Sequence, residues 1–136
     1  MGKHAWLISV WLSAGACGSA PQAPAADRDE PAAAVASEVI DVLPGPAFLA
    51  AYENSEGAYL IDVRTPREQA GGMLDGALAM DFLAEGFRQN AAALDRSRPV
   101  FVYCAKGGRS AGAAEVFEEL GWGRVVDLEG GYGGLE

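Results

Sequence analysis

The segment RPVFVYC, residues 98–104, constrains the fold more than any other part of this sequence. Its apolar residues follow one another without the alternation of a half-exposed strand, which predicts a strand buried on both faces. Strands of this kind belong to parallel sheets that helices cover on both sides. The segment ends at Cys104, and ligand sites of such sheets lie beyond the carboxyl ends of the strands. Any site that this strand supports is therefore expected around Cys104.

Strands and helices alternate along the chain from Val39 onward. We predict further strands in EVIDVL, AYLIDV, ALAM and GRVVDL, and helices in PGPAFLAAYENSEG, TPREQA, DFLAEGFRQNAAAL and from Ser110 to Leu120. This order predicts an α/β fold, with a small parallel β-sheet flanked by helices on both faces. The helix that is predicted to begin at Asp81 has a weak point at Gly86.

The first 37 residues have the composition of an export signal followed by a tether. Residues 1–16 combine a basic start, an apolar run and small residues at the end, which is typical of a bacterial signal peptide. Cys17 directly after them favours a lipoprotein with an acylated thiol over simple secretion. Residues 17–37 are rich in Ala and Pro and predict a lipid-anchored or free tether, and residues 38–136 form the predicted domain. We therefore expect an exported protein of the periplasm or cell envelope, held at a membrane by its lipid.

The composition limits the chemistry that the folded part can use. Ten basic and nineteen acidic residues give a formal net charge of −9, which disfavours nucleic acid as a partner because phosphate binding needs clustered cations. Removal of residues 1–16 would take away Lys3 and His4, the only histidine, and leave a net charge of −10. Cys-His or Ser-His catalysis and His-ligated metals are then excluded within one chain. If Cys17 is acylated, Cys104 is the only free thiol.

The loop CAKGGRS, which begins at Cys104, has the composition of an anion cradle around a reactive thiol. Gly107 and Gly108 can adopt positive φ angles, so that backbone N–H groups turn inward. The following helix adds free N–H groups and the positive end of its dipole, and Lys106 and Arg109 add two cations. We expect these groups to lower the pKa of Cys104 and make it a nucleophile without a general base.

The order and spacing of the motifs are similar to those of a single-domain rhodanese, a sulfurtransferase. The matching segments extend over nearly all of the predicted domain: Asp62–Pro66 with Glu68, Gly76–Ala77, Tyr103–Cys104 with Gly107, Arg109–Ser110, and Leu128–Gly131. The resemblance implies that Cys104 attacks a sulfane sulfur donor, such as thiosulfate or a persulfide, and becomes a persulfide itself. The outer sulfur then passes to cyanide or another thiol. We expect no cofactor and no metal.

The resemblance also implies roles for the residues around Cys104. The anionic persulfide would be held by six residues of the loop: Ala105, Lys106, Gly107, Gly108, Arg109 and Ser110. Independently of the resemblance, a carboxylate and a guanidinium at a strand end can form an ion pair, so Asp62 and Arg64 are expected to support the loops rather than act on the substrate. Arg109 is expected to orient the loop while facing the anion, with Glu115 or Asp62 as alternative ion-pair partners. The partners of the protein would be a small sulfur-containing anion or persulfide donor, and a thiol acceptor or reducing protein.

Two alternatives stay open besides a sulfurtransferase. A phosphatase or arsenate reductase of this fold would use the same nucleophile, although four residues separate Cys104 from Arg109 and related phosphatases use one more to hold a phosphoryl group. A non-catalytic sulfur-carrier or docking module would need no lowered thiol pKa.

The sequence departs from the family pattern at three places. Ala105 stands where many members have arginine, which predicts that a persulfide is a better donor than thiosulfate. Met73 replaces a histidine that we interpret as structural. The sequence GGYGGLE stands where most members continue into a longer helix, which predicts a less covered flank of the core.

Overall fold

The structure is a computed structural model of the 136-residue chain and describes residues 38–135. The predicted signal peptide, Cys17 and the tether lie outside the described residues. Within residues 38–135, five strands form one sheet: β1 (Ile40–Leu43), β2 (Tyr59–Asp62), β3 (Leu78–Ala79), β4 (Val100–Tyr103) and β5 (Val125–Leu128). Their order across the sheet is β1-β5-β4-β2-β3, and all neighbours run parallel. The predicted parallel α/β fold is confirmed.

Helices cover both faces of this sheet. They are α1 (Gly45–Glu53), α2 (Pro66–Gln69), α3 (Phe87–Ala92) and α4 (Gly108–Glu119), with a short 3-10 helix at Tyr132–Leu135. One buried cluster joins the sheet to α3 and α4 through residues such as Phe87 and Phe117, and the other joins it to α1 through Phe48. None of the helices within the described range is long and apolar enough to cross a membrane.

The four residues of β4 are buried, as the uninterrupted apolar pattern predicts. Val100 and Val102 face the α3 and α4 side, whereas Phe101 and Tyr103 face the α1 side. A strand with both faces covered is fixed in register, because a slip of one residue would exchange its two sets of side chains. The central strand therefore presents the residue that follows it, Cys104, at a defined place on the edge of the sheet.

The helix predicted to begin at Asp81 begins only at Phe87, so this part of the prediction is wrong. The Asp81 carboxylate accepts a hydrogen bond from the Leu83 N–H at 2.9 Å, and this local bond stabilises a turn in place of a helix. Gly86 then stands at the helix N-cap, where its low helix propensity has little cost.

The flank that was expected to be less covered is packed by the 3-10 helix. The Tyr132 ring stacks on Tyr103 with the centroids 5.9 Å apart, and Leu135 packs against the cluster on the α1 side. Tyr132 and Leu135 thus cover part of the cluster on the α1 side and are themselves partly buried.

Candidate active site

The candidate site lies at the carboxyl edge of the sheet, where the two central strands β2 and β4 end. Cys104 follows β4 directly, and the segment 63–65 follows β2. Because these strands pair in parallel, with Asp62 opposite Tyr103, the two segments leave the sheet side by side. This arrangement brings the two sequence motifs together at one edge, as expected for ligand sites of open α/β sheets.

The Cys104 loop curls around its own sulfur. The Cys104 side chain is buried, with 1 % of its surface exposed, and the Gly107 N–H donates a hydrogen bond to Sγ over 3.0 Å. Gly107 has φ +100°, a conformation that favours glycine and that turns its N–H group inward. Helix α4 begins at the next residue, so its free N–H groups also lie at this site.

Two opposing effects set the pKa of the Cys104 thiol. Burial acts to raise it, since the anion loses contact with water. Hydrogen bonds from the hydroxyl and N–H of Ser110, and from the N–H groups of Lys106 and Gly107, act to lower it. The hydrogen bonds outweigh burial, so the pKa of the Cys104 thiol lies below its ordinary value and the thiolate forms at a lower pH than in a free cysteine.

The C-terminal glycines hold the outer side of this loop. The Tyr132 N–H donates to the Cys104 carbonyl over 2.7 Å, and the Gly133 N–H donates to the Ala105 carbonyl over 3.2 Å. Gly131 has φ +70°, and a Cβ atom there would lie 2.5 Å from Ala105 C. Only glycine allows this contact between the two backbones. Sequence reasoning noted the double glycine but assigned it no role in the site.

Arg109 is engaged by Glu68. Its guanidinium donates two hydrogen bonds to the Glu68 carboxylate, over 2.8 and 2.7 Å. The Thr65 N–H and hydroxyl bind the same carboxylate over 3.0 and 2.7 Å in a capping box at the start of α2. Arg109, and then Thr65, holds the pKa of Glu68 far below its usual range. Neither Glu115 nor Asp62 is the ion-pair partner, and the charge of Arg109 is already compensated.

Asp62 and Arg64 form a buried ion pair. Arg64 donates to both oxygens of the Asp62 carboxylate over 2.7 to 3.0 Å, and it also donates to the Gly72 carbonyl. The Arg64 guanidinium lies 4.2 Å from the centre of the Tyr132 ring. The pair therefore joins the loop after β2 to the C-terminal segment, and none of these contacts reaches the Cys104 sulfur.

Lys106, Gly108 and Ala105 complete the loop. Lys106 and Gly108 are exposed, and Ala105 is half-buried. Lys106 makes no ion pair with any residue in the range 38–135. Since Arg109 is paired, Lys106 is the one cation of the loop with no carboxylate partner among these residues. The site thus offers a thiol, inward N–H groups and a single uncompensated positive charge.

Sequence reasoning missed Asp127, which lies on the strand next to β4. It was included in the strand GRVVDL as one residue among apolar ones. The structure buries it, with 5 % of its surface exposed, on the side of the sheet that α4 covers. An acidic residue inside a strand buried on both faces was itself a signal, because such groups are rarely buried without a partner.

Residues 46–136 match the rhodanese-like domain family, and the chain belongs to this family. A sulfurtransferase of Allochromatium vinosum is 37 % identical over 78 residues, which cover 57 % of this chain and 71 % of that protein. A thiosulfate sulfurtransferase, GlpE, of Pseudomonas entomophila is 33 % identical over 79 residues, or 57 % and 70 % of the two chains. The resemblance to a single rhodanese-like domain is thereby confirmed.

Solved structures agree with this assignment. A rhodanese-related protein from Thermoplasma volcanium is 30 % identical, with a TM-score of 0.58 over 69 % of this chain and 88 % of that one. A rhodanese-like domain protein from Staphylococcus aureus has a TM-score of 0.62, and the match covers 71 % of this chain and 91 % of that one. At 24 % identity, this match shows a similarity of fold alone.

Proposed function

We propose that this protein is a sulfurtransferase in which Cys104 carries sulfane sulfur as a persulfide. The observation that supports the proposal most is the buried Cys104 sulfur, 3.0 Å from the Gly107 N–H at the start of α4. Donors fixed in this way stabilise an anion without reorganising, whether the anion is the thiolate or the persulfide. The named sulfurtransferases among the relatives support the same class of reaction.

The reaction proceeds in two displacements at sulfur. The Cys104 thiolate attacks the outer sulfur of a persulfide donor, R–S–S⁻; a new S–S bond forms as the old one breaks, and the R–S⁻ group leaves and takes a proton from water. The resulting Cys104–S–S⁻ is held by the N–H groups of the loop. An acceptor thiolate then attacks the outer sulfur, and Cys104 leaves as the thiolate again. No external oxidant or reductant is consumed.

We propose that the donor is a persulfide rather than thiosulfate. A thiosulfate ion carries two negative charges, and its recognition requires cations near the thiol. Here Ala105 supplies none, Arg109 is paired with Glu68, and only Lys106 is left. Inward N–H groups suffice for the smaller charge of a persulfide, so the loop favours the singly charged donor.

The proposal is tested by mass spectrometry of the purified protein after reaction with cysteine persulfide and, separately, with thiosulfate. We expect Cys104 to gain one sulfur atom, at lower concentrations of the persulfide, and Cys104→Ser to gain none. A Cys104 that stays unmodified by either donor near neutral pH would overturn the proposal. Hydrolysis of an aryl phosphate that is lost in Cys104→Ser would instead support the phosphatase alternative, and a thiol with an ordinary pKa the non-catalytic one.

We further propose that the protein is exported and anchored through an acylated Cys17. The support is the sequence pattern of residues 1–17 alone. Mass spectrometry of the N-terminal peptide from cells should find a lipid on Cys17, and Cys17→Ala should move the protein from the membrane fraction to the supernatant. An intact Met1 peptide in the native protein would contradict both export and anchoring.

A further inference from the structure

The Cys104 sulfur is recessed, and this limits which molecules can react with it. The side chain is 1 % exposed, and the loop that follows it curls around the sulfur. A cysteine on a partner protein brings its own backbone along. The two Cα atoms of a disulfide lie about 4–7 Å apart, and one further sulfur atom between them adds about 2 Å. A protein partner can therefore react with Cys104 only if few side chains rise around the loop.

The loop around Cys104 carries few side chains that could obstruct a partner. Ala105 has a single methyl group, and Gly107 and Gly108 have no side chain. Two long side chains are left. That of Arg109 is fixed in an ion pair, and that of Lys106 is exposed and can rotate aside. Most of the rim is thus formed by backbone.

The fold itself does not require glycine at position 108. Gly107 has φ +100°, which favours glycine, but Gly108 is not among the glycines with a positive φ. Apart from its chain neighbours and its own helix turn, nothing lies within 4 Å of the position that a Cβ atom would take at Gly108. It is the first residue of α4, and glycine is a poorer helix former than alanine. The lack of a side chain at Gly108 therefore calls for a reason outside folding.

A side chain at position 108 would lie over the loop that holds the sulfur. The Cα–Cβ bonds of a helix tilt toward its N-terminus, so a helical residue covers the surface of the preceding turn. For the first residue of α4, that turn is the loop itself, in which the Gly107 N–H binds the Cys104 sulfur over 3.0 Å. Glycine at position 108 thus keeps the space over this loop open.

We propose that Gly108 is a specificity-determining residue that admits a cysteine on the surface of a folded protein to Cys104. In the transfer, the acceptor thiolate attacks the outer sulfur of Cys104–S–S⁻. An S–S bond forms on the acceptor as the bond to Cys104 breaks, so the acceptor becomes the persulfide and Cys104 leaves as the thiolate. No oxidant or reductant is consumed. That the transferred atom is sulfur rests on the proposed function, whereas the access to Cys104 requires only its thiolate.

The first experiment compares two disulfide reagents that share the reacting bond and differ in bulk. One is dipyridyl disulfide in solution, and the other is a pyridyl disulfide on one engineered surface cysteine of a small folded carrier protein. In both reactions the Cys104 thiolate forms a mixed disulfide and pyridinethiolate leaves, which absorbance follows. The full chain is used with Cys17→Ala, so that Cys104 is its only thiol.

The variants are Gly108→Ile, whose side chain is stiff, and Gly123→Ile as the matched control. Gly123 is also exposed, has no positive φ and has nothing within 4 Å of its Cβ position, but it precedes β5 at the opposite edge of the sheet. The readout is the ratio of the carrier rate to the free-reagent rate, because any effect on the thiolate itself cancels. We expect this ratio to fall about tenfold in Gly108→Ile and to keep its wild-type value in Gly123→Ile. A ratio that Gly108→Ile leaves unchanged overturns the proposal.

Two further variants separate access from folding. Gly108→Ala should unfold at a higher urea concentration than the wild type, because alanine fits this backbone and is the better helix former. A less stable Gly108→Ala would show that the fold requires this glycine and would overturn the proposal. If Gly108→Ile does not fold, Gly108→Thr takes its place, with an expected fall of the ratio of about threefold. An unchanged ratio in that variant overturns the proposal as well.

The second experiment measures sulfur transfer from the Cys104 persulfide to cyanide and to the reduced carrier protein. The ratio of the carrier rate to the cyanide rate should fall in Gly108→Ile as it does for the disulfide reagents. Discrimination between the disulfide reagents with no persulfide formed on Cys104 would refute the proposed function alone. Persulfide transfer with the wild-type ratio in Gly108→Ile would refute the role of Gly108 alone.

Discussion

Replacing Gly131 with alanine tests whether the C-terminal segment supports the Cys104 loop. A Cβ atom at Gly131 would lie 2.5 Å from both Ala105 C and Lys106 N, and 2.6 Å from the Cys104 carbonyl oxygen. All three are backbone atoms, so no side chain can rotate away to make room. Gly130 is the matched control: its φ of +73° resembles the +70° of Gly131, but nothing lies within 4 Å of its Cβ position.

The two variants separate backbone strain from steric overlap. Alanine in the left-handed region costs about 1–2 kcal/mol at either position. Overlap with packed atoms adds about 1–3 kcal/mol at Gly131 alone. We therefore expect Gly131→Ala to be less stable than Gly130→Ala by about 1–3 kcal/mol. Relief of the overlap must move the loop, which weakens the bond from the Gly107 N–H to the Cys104 sulfur.

Urea unfolding measures the difference in stability between the two variants. The pH dependence of Cys104 alkylation measures the effect of the loop movement on the thiol. Gly131→Ala should raise the pKa of the Cys104 thiol and slow its alkylation near neutral pH by about tenfold. Gly130→Ala should leave the thiol pKa as it is. Equal losses of stability in the two variants, together with equal thiol pKa values, would show that Gly131 does not brace the loop and would refute the reasoning.

Three further predictions concern charges and rings around the site. The pKa of Asp127 is raised from 3.8 to about 6, so the wild type loses stability as pH rises through that range. Above about pH 6, Asp127→Asn should therefore be more stable than the wild type by roughly 2–3 kcal/mol. Urea titrations should show this difference disappear below about pH 4. Glu68→Gln keeps the capping box but frees the charge of Arg109, and should raise kcat/KM for thiosulfate relative to cysteine persulfide by about two- to fivefold in steady-state assays. Tyr132→Leu loses the contact with Arg64 and should lower the thermal stability by about 1–2 kcal/mol in calorimetry, without changing the charge of the site.

The sequence predicted those parts of the molecule that local signals determine. The apolar run of β4 required burial on both faces, and the pattern Thr65-Pro66-x-Glu68 required a short capped helix, which is α2. The turn at residues 81–86 was missed because an Asp side chain can cap a helix or close a turn, and the periodicity of the following residues does not distinguish the two.

Contacts across long separations could not be predicted in the same way. Arg109 and Glu68 are 41 residues apart, and their contact depends on β2 and β4 being neighbours. The fit of Gly131 against the Cys104 loop depends likewise on the position of β5 beside β4. Asp127 is different, because the sequence itself shows an acidic residue among the apolar residues of a buried strand. Its unusual position could therefore be recognised without knowledge of a long-range contact.

The stabilisation of the Cys104 anion by N–H groups predicts how ionic strength acts on the reaction. The N–H dipoles act on the anion at short range, and salt screens this interaction little. The net charge of −9 repels an approaching anion over longer distances, and salt does screen this repulsion. Added salt should therefore raise kcat/KM for both donors. The repulsion is proportional to the charge of the donor, so the slope for thiosulfate should be about twice that for cysteine persulfide. A kcat/KM for thiosulfate that falls with salt would mean that attraction by cations near Cys104 outweighs the repulsion by the net charge, and would refute this argument.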